Sequence, residues 1–181
     1  ISSMVKEIQI FEDIFKPCTT GSLAVEDSRD LANIFKFIGE ETVRIIIKTP
    51  NLPNKPGYKI DRIFVVYKMD DRQMVRDRMI YYKLHFCSPE MIVDSNVKLS
   101  KTYNGPIADV VATLVKKEGL KSGAPFVYSK TSNNIKYTSN YWSPYRNIRY
   151  LTERAINSNN CANFIFFENA NGLNFTSLDD L

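Results

Sequence analysis

The sequence predicts an α+β fold in which a small antiparallel β-barrel or sandwich is followed by a smaller α/β domain with two helices and a β-hairpin. Three observations predict it. β-Branched and aromatic residues alternate with polar ones through the first half, which is typical of half-buried strands. Clear amphipathic helical spacing begins only after residue 100. The 181 residues are 44% hydrophobic, which is enough to build packed cores.

The first predicted domain, a tube-like β domain, covers residues 1–97. Ile8 and Ile10 at period two indicate its first strand, and the β-branched run around Ile46 indicates its third. The predicted elements are, in order, strands at 5–14 and 22–27, a helix at 29–35, a strand at 42–49, a proline-rich loop at 51–57, a strand at 60–69, a charged hairpin turn at 70–78 and a strand at 79–88.

The second predicted domain covers residues 98–181 and begins with an amphipathic helix. Asn104-Gly105-Pro106 marks its entry, and Gly119 is expected to end it. Its apolar residues recur at the spacing of one helix face. They are Ile107, Val110, Val111, Leu114 and Val115.

A second helix is predicted at 144–157, because Ser143 can cap it and Pro144 suits its first turn. Short strands and loops should fill residues 125–141. The chain then closes in an aromatic hairpin whose turn is predicted at Asn171-Gly172.

The sequence offers little for catalysis. His85 is the only histidine, and Cys87 follows it two residues later on a predicted strand, where such neighbours rarely converge on a substrate. Three dispersed cysteines, Cys18, Cys87 and Cys161, suggest neither a disulfide framework nor a metal knuckle. We therefore expect no enzyme, no cofactor, no metal site and no catalytic residue; the chain also carries no apolar run that would insert in a membrane.

Residues 128–149 leave a nucleic-acid-binding module open as an alternative function. Aromatic rings there alternate with basic side chains, as in surfaces that stack bases. The residues concerned are Tyr137, Tyr141, Trp142, Tyr145, Lys130, Lys136, Arg146 and Arg149. The same residue types also mark protein-protein contacts, and Trp142 could pin a helix start to the core. The net charge of +4 decides little between these interpretations.

Four segments, from residue 82 onward, carry a resemblance to a known family. "YKLHFCSPE" and "LSKTYNGPIADVV" are followed by "YWSPYRNIRYLTERA" and then by "NFIFFENANGLNFTSLDDL". This order of strand, helix, helix and hairpin resembles the central baseplate hub protein of contractile-tailed bacteriophages. The first half, with "IGEE" leading into its third strand, resembles the first tube domain of that family.

The resemblance implies an architectural function. Hub subunits form a homotrimeric ring that adapts the hexameric tail tube to the trimeric spike, and DNA passes through the lumen without specific binding. The implied partners are sister copies, a tail tube or tube-initiator protein, the central spike protein and baseplate wedge proteins. The implied location is the virion tail baseplate, assembled in the cytoplasm of the host bacterium. A hub or spike protein of a related contractile injection system, and more distantly a tail cell-wall hydrolase, are the related alternatives.

A ring of this kind needs strand edges and apolar surface that only assembly covers. The residues we expect at this interface lie on the predicted strands and at the second helix start. They are Ile8, Ile10, Phe11, Ile63, Val65, Tyr67, Leu84, Phe86 and Trp142. The family continues into a second tube-like domain, so this chain is expected to be a truncated form.

Overall fold

The computed structural model describes residues 4–29, 31–34, 38–48, 59–76 and 79–181. Its contacts divide the chain into two compact units. Unit 1 comprises Ile1–Phe11 and Thr19–Pro89, and unit 2 comprises Glu12–Cys18 and Glu90–Leu181. The division thus falls between Pro89 and Glu90, whereas the sequence suggested a boundary at 97 and 98. The predicted loop at 51–57 lies outside the described residues.

Unit 1 is built on a five-stranded antiparallel sheet in the order β1-β2-β5-β4-β3. Its elements are β1 (Val5–Phe11), β2 (Thr20–Asp27), the short helix α1 (Leu31–Ile34), β3 (Thr42–Lys48), β4 (Lys59–Arg76) and β5 (Met79–Cys87). The sheet is a curled, open half-barrel, which agrees with the predicted α+β fold; the described strands do not by themselves complete a small barrel or sandwich.

The core of unit 1 lies on one face of this sheet. Alternation along β4 turns Phe64 and Val66 inward, and Phe86 on β5 is fully buried beside them. The rings of Phe64 and Phe86 lie 4.9 Å apart, centroid to centroid. Leu23 and Val25 of β2 complete the same cluster. Period-two alternation in the sequence therefore identified the buried face correctly.

The charged residues at 70–78 are not simply a turn, as the sequence predicted, because β4 continues through them to Arg76. Cross-strand polar contacts support this extension: His85 Nε2 lies 3.0 Å from Asp70 Oδ1, and Lys83 Nζ lies 3.7 Å from Asp71 Oδ2. Asp71 has φ of 54°, at an irregularity in the β4-β5 register. Charged side chains suit a two-stranded ribbon exposed to solvent, and a local bulge lets the pairing continue.

Unit 2 combines three helices with two small sheets. Strands β7, β10 and β9 form one sheet in that order, and β6 pairs with β8 in the other. The elements are α2 (Pro89–Asn96), β6 (Thr102–Pro106), α3 (Ile107–Thr113), a π-helical turn (Leu114–Glu118), β7 (Phe126–Tyr128), β8 (Asn134–Thr138), α4 (Pro144–Thr152), β9 (Phe164–Asn169), β10 (Gly172–Ser177) and a 3₁₀ turn (Leu178–Asp180).

Helix α2 was missed in the sequence, although its signal is present. Ser88-Pro89 begins it, with the same Ser-Pro pair that begins α4 at Ser143-Pro144. The helix carries the buried Glu90, whose carboxylate accepts a hydrogen bond from the Ser122 hydroxyl. This contact helps to place α2 in unit 2.

The two predicted helices are confirmed, and their apolar faces form the core of unit 2. Ile107, Val111 and Leu114 are fully buried along α3 and the π-helical turn that continues it. Helix α4 ends at Thr152, earlier than predicted, and Ser143 Oγ caps it by accepting from the Arg146 amide. None of the helices in the described part of the chain is long and apolar enough to cross a membrane.

The π-helical turn has a wide backbone that positions a lysine. The amides of Gly119 and Leu120 both donate to the Leu114 carbonyl, at 3.0 and 2.9 Å. Lys116 Nζ then donates to the carbonyls of Ser122 and Ala124, which holds the connection that leads towards β7. A Cβ at position 119 would lie 2.5 Å from the Leu114 carbonyl oxygen, so glycine is required there.

The aromatic hairpin at the end of the sequence is the other half of this core. Phe164 on β9 and Phe175 on β10 are both buried, with ring centroids 4.9 Å apart. The turn lies between Asn169 and Gly172, close to its predicted position, and Gly172 has φ of +132°. Its aromatic surface therefore serves packing within the unit.

Close packing at Gly21 leads to a stability prediction. A Cβ there would lie 2.3 Å from the Gln9 carbonyl oxygen and 2.4 Å from the Phe86 ring, so β1 would have to shift away from β2. We expect Gly21→Ala to lower the free energy of unfolding by about 1–3 kcal/mol in chemical denaturation. The matched control is Gly123→Ala, because nothing lies within 4 Å of its Cβ. Equal stability of the two variants would contradict the close approach.

Candidate assembly interface

Both outer strands of the unit 1 sheet are edges. Strand β1 pairs only with β2, and β3 pairs only with β4, among the strands that the structure describes. Backbone groups on the outer side of an edge strand can pair with a strand from another chain. Unit 1 therefore offers two edges, at opposite sides of one sheet, for contact with other molecules.

The face of the sheet opposite the core carries an apolar group that we call the outer patch: Ile46, Ile63, Val65 and Tyr67. Register places them together, because Arg44 on β3 pairs with Ile63 and Thr42 pairs with Val65. Ile63 is 53% exposed and Val65 is half-buried; Ile46 and Tyr67 are also exposed. An exposed apolar group on an ordered sheet is the kind of surface that a partner covers.

Polar pairs lie on the same face as the outer patch, within it and beside it. The Arg44 guanidinium donates two hydrogen bonds to the Asp61 carboxylate, at 2.8 and 3.0 Å. Asp70 accepts from Lys68 and also contacts His85. The Lys68 hydrogen bond is the main cause that holds the pKa of Asp70 below its ordinary value. An apolar centre with a polar rim is the usual anatomy of a protein interface.

The predicted interface residues fall into several groups in the structure. Ile63, Val65 and Tyr67 lie together in the outer patch, while Ile8, Ile10 and Phe11 lie on the edge strand β1, where Phe11 is exposed. The remaining residues have other surroundings. Leu84 and Phe86 are buried in the core of unit 1, and Trp142 lies in unit 2.

Leu84 and Phe86 are therefore not available on the surface of the single chain. The sequence prediction assigned both residues to the interface, because it did not determine which face of β5 was buried. Conversely, it did not include Ile46, which the structure places in the outer patch. A signal for Ile46 was present, since a run of three isoleucines on a half-buried strand must turn at least one outward.

The residues that suggested nucleic-acid binding are largely used within unit 2. Tyr137 is buried between Tyr103 and Tyr150, with ring centroids 5.5 and 5.4 Å away. The Arg146 guanidinium lies 4.7 Å from the centroid of the half-buried Trp142. Base stacking needs exposed ring faces, and of these aromatic residues only Tyr141 is strongly exposed. The arrangement favours internal packing over a base-stacking surface.

His85 and Cys87 do not form a nucleophilic pair in the structure. His85 contacts the Asp70 carboxylate, and Cys87 is fully buried. Among the described residues, no group of histidine, cysteine and carboxylate side chains is arranged to hold a metal ion.

Cys18 has a distinct environment in unit 2. Its Sγ lies 3.8 Å from Met91 Sδ, and the thiol is half-buried. Burial, together with the negative charges of Glu168 and Asp94, raises its pKa to about 11. The thiolate, which is the reactive form, is therefore disfavoured at neutral pH.

The combination described above defines a fold class. An open, curled antiparallel sheet is followed by a helical unit that ends in a hairpin, and this fold is similar to that of a phage tail protein and a type VI secretion protein. The resemblance that the sequence motifs indicated is confirmed at the level of the fold. No family model matches the chain, and no curated protein matches it either.

Three solved structures support this assignment of the fold. The E. coli c3393 protein, a component of the type VI secretion system with structural similarity to T4 bacteriophage tail proteins gp27 and gp5, matches 95% of this chain with a TM-score of 0.58 and 10% identity. A chain of a Francisella PdpA-VgrG complex structure matches 98% of this chain at a TM-score of 0.55 and 11% identity. A 43 kDa tail protein of prophage MuSo2 from Shewanella oneidensis matches 93% at 0.50 and 12%.

The chain spans about half the length of the E. coli and Shewanella chains and less of the Francisella chain. It covers 49% of the E. coli chain, 49% of the Shewanella chain and 28% of the Francisella chain. Identities this low show a shared fold, and the activities of those longer proteins do not transfer with it.

The surroundings of Cys18 predict its reactivity. At pH 8 we expect iodoacetamide to modify the exposed Cys161 first, with Cys18 and the buried Cys87 reacting slowly. A raised pKa means that the Cys18 thiolate population grows about tenfold per pH unit until pH nears 11. Peptide mass spectrometry at pH 8, 9 and 10 measures this rise, and Cys161→Ser removes the fast phase. Equal labelling rates for Cys18 and Cys161 at pH 8 would contradict the described environment.

Proposed function

We propose that this chain is a non-enzymatic structural subunit of a contractile tail, acting in the central hub as a homotrimer that adapts the tail tube to the spike. The carrying observation is the fold, which is shared with tail and secretion-system proteins over 95% of the chain. The open sheet of unit 1 supports the proposal, because its two edges and its outer patch suit an assembled ring.

The geometry of the sheet explains how a ring could close. Strands β1 and β3 form opposite edges, so the β1 side of one copy can meet the β3 side of the next. Such a head-to-tail contact uses two different surfaces on each chain, and it closes when the rotation between copies divides a full turn. Assembly would also cover the exposed residues of the outer patch, which removes apolar surface from water.

The proposed partners follow from the same role. Besides sister copies, they are a tail tube or tube-initiator protein, the central spike and baseplate wedge proteins, with DNA passing through the lumen unbound. The proposed location is the virion tail, after assembly in the host cytoplasm. The Francisella structure is a complex of VgrG with PdpA, which supports the variant in which the chain belongs to a related contractile injection system.

The outer patch supplies the direct test. We expect Ile63→Lys to weaken self-association by about tenfold or more, because a charge replaces an apolar contact that the ring would bury; tenfold corresponds to about 1.4 kcal/mol. Sedimentation velocity over a concentration series measures the change. Val127→Lys is the matched control, since Val127 is 67% exposed and Ile63 is 53% exposed, and Val127 lies in unit 2 outside the patch.

The two variants separate the possible outcomes. A trimer in the wild type and in Val127→Lys, with monomer in Ile63→Lys, would support assembly through the outer patch. Identical sedimentation of all three as trimer would move the interface elsewhere. A wild-type protein that stays monomeric at high concentration, alone and with tube and spike proteins, would overturn the hub proposal.

A further inference from the structure

Unit 2 contains an apolar groove that the packing described so far does not use. It lies between residues 12–18, helix α4 and strand β9, and its volume is about 910 Å³. Ile148, Phe164 and Phe166 line its apolar part. A space of this size is sufficient for several side chains of a peptide segment.

One side of the groove exposes large apolar side chains. Asp13 Oδ1 accepts from the Phe15 amide at 2.9 Å, and the Asp13 carbonyl accepts from the Lys16 amide at 3.0 Å. This turn holds Ile14 and Phe15 at the groove, where Phe15 is 75% exposed. A phenyl ring held in water beside an apolar groove is favourable only when something covers it.

The other side of the groove is cationic. Helix α4 places Arg146 and Arg149 on it. Glu153 lies 3.3 Å from Arg149 Nε and also 3.8 Å from Arg154 Nη1, so a single carboxylate is shared between two guanidinium groups. The charge of this wall therefore remains positive. A fitting occupant carries apolar side chains together with carboxylates.

The chain itself presents a segment with that chemistry. Residues 178–181 are Leu-Asp-Asp-Leu, all exposed, with Leu181 68% exposed. The segment is ordered by its surroundings, since Ser177 Oγ accepts from the Asp179 amide and Asn157 donates to the Asp179 carboxylate at 2.8 Å. A preorganised segment loses less conformational entropy on binding.

We propose that the groove of one copy binds residues 178–181 of a second copy, with the leucines against the apolar side and the aspartates against Arg146 and Arg149. The inference rests on the proposed homotrimer and names a contact within it. In its own chain the segment is held at the start of β9, because the Leu178 amide donates to the Asn163 carbonyl at 3.0 Å.

A labelled peptide tests the groove independently of the ring. The probe is residues 176–181, Thr-Ser-Leu-Asp-Asp-Leu, with an amino-terminal fluorophore and a carboxyl-terminal amide, so that the only charges among its residues are the two aspartate side chains. We expect saturable fluorescence polarisation with the full chain. We expect about tenfold weaker binding to Arg149→Glu, and similar weakening when both peptide aspartates are replaced by alanine.

Matched controls distinguish the groove from general surface effects. Phe15→Ser should weaken peptide binding, whereas Tyr141→Ser should not, although the two rings are 75% and 73% exposed. Lys130→Glu, at an exposed lysine that does not line the groove, should bind like the wild type. A peptide with Asp180→Arg should recover binding to Arg149→Glu, because the charges are then exchanged.

The outcomes separate this inference from the hub proposal. Peptide binding with the expected variant pattern supports the groove contact whether or not the chain forms trimers. Absence of saturable binding at millimolar peptide, or equal binding by Arg149→Glu and Lys130→Glu, overturns the groove contact. The sedimentation of Ile63→Lys reports on the hub proposal and the peptide assay reports on the groove, so the failure of one can be told apart from the failure of the other.

Discussion

The hub proposal depends on a sheet that does not close on itself. The order β1-β2-β5-β4-β3 leaves two edge strands, and the described residues supply no further strand for either. Soluble proteins generally protect such edges, because unpaired backbone groups promote uncontrolled pairing. The β3 edge lies beside β4, which carries the outward-facing Ile63 and Tyr67, so a contact at this edge could pair the backbone and cover apolar surface together.

Unit 2 buries its apolar side chains in a different way. Its core is completed within the chain by pairing helices α3 and α4 with the aromatic hairpin, where Phe164 and Phe175 stack. Arg146 over Trp142 and Arg154 over Tyr150 add cation-π contacts on its surface. A unit that completes its main core within the chain, in the same chain as a sheet with two open edges, is consistent with a division between a scaffold and an assembling surface.

The sequence predicted periodic elements well and their environment less well. The spacing of Ile107, Val111 and Leu114 identified a buried helix face, since period alone determines which side chains share a face. The extension of β4 to Arg76 was not predictable from charge, because its support comes from His85 and Lys83 on a neighbouring strand. The same limit explains the candidate interface: alternation groups residues by face, but whether Phe86 or Tyr67 is buried depends on the three-dimensional packing.

The geometry of the π-helical turn at Leu114–Glu118 depends on how many residues the turn contains more than on which residues they are. Its extra width aims Lys116 at the carbonyls of Ser122 and Ala124. Deleting one residue would restore ordinary α-helical pitch and rotate every later side chain by about 100°, which would carry the ammonium group away from those carbonyls. Related chains should therefore vary freely in amino-acid type at the exposed positions of this turn, while insertions and deletions there should be rare.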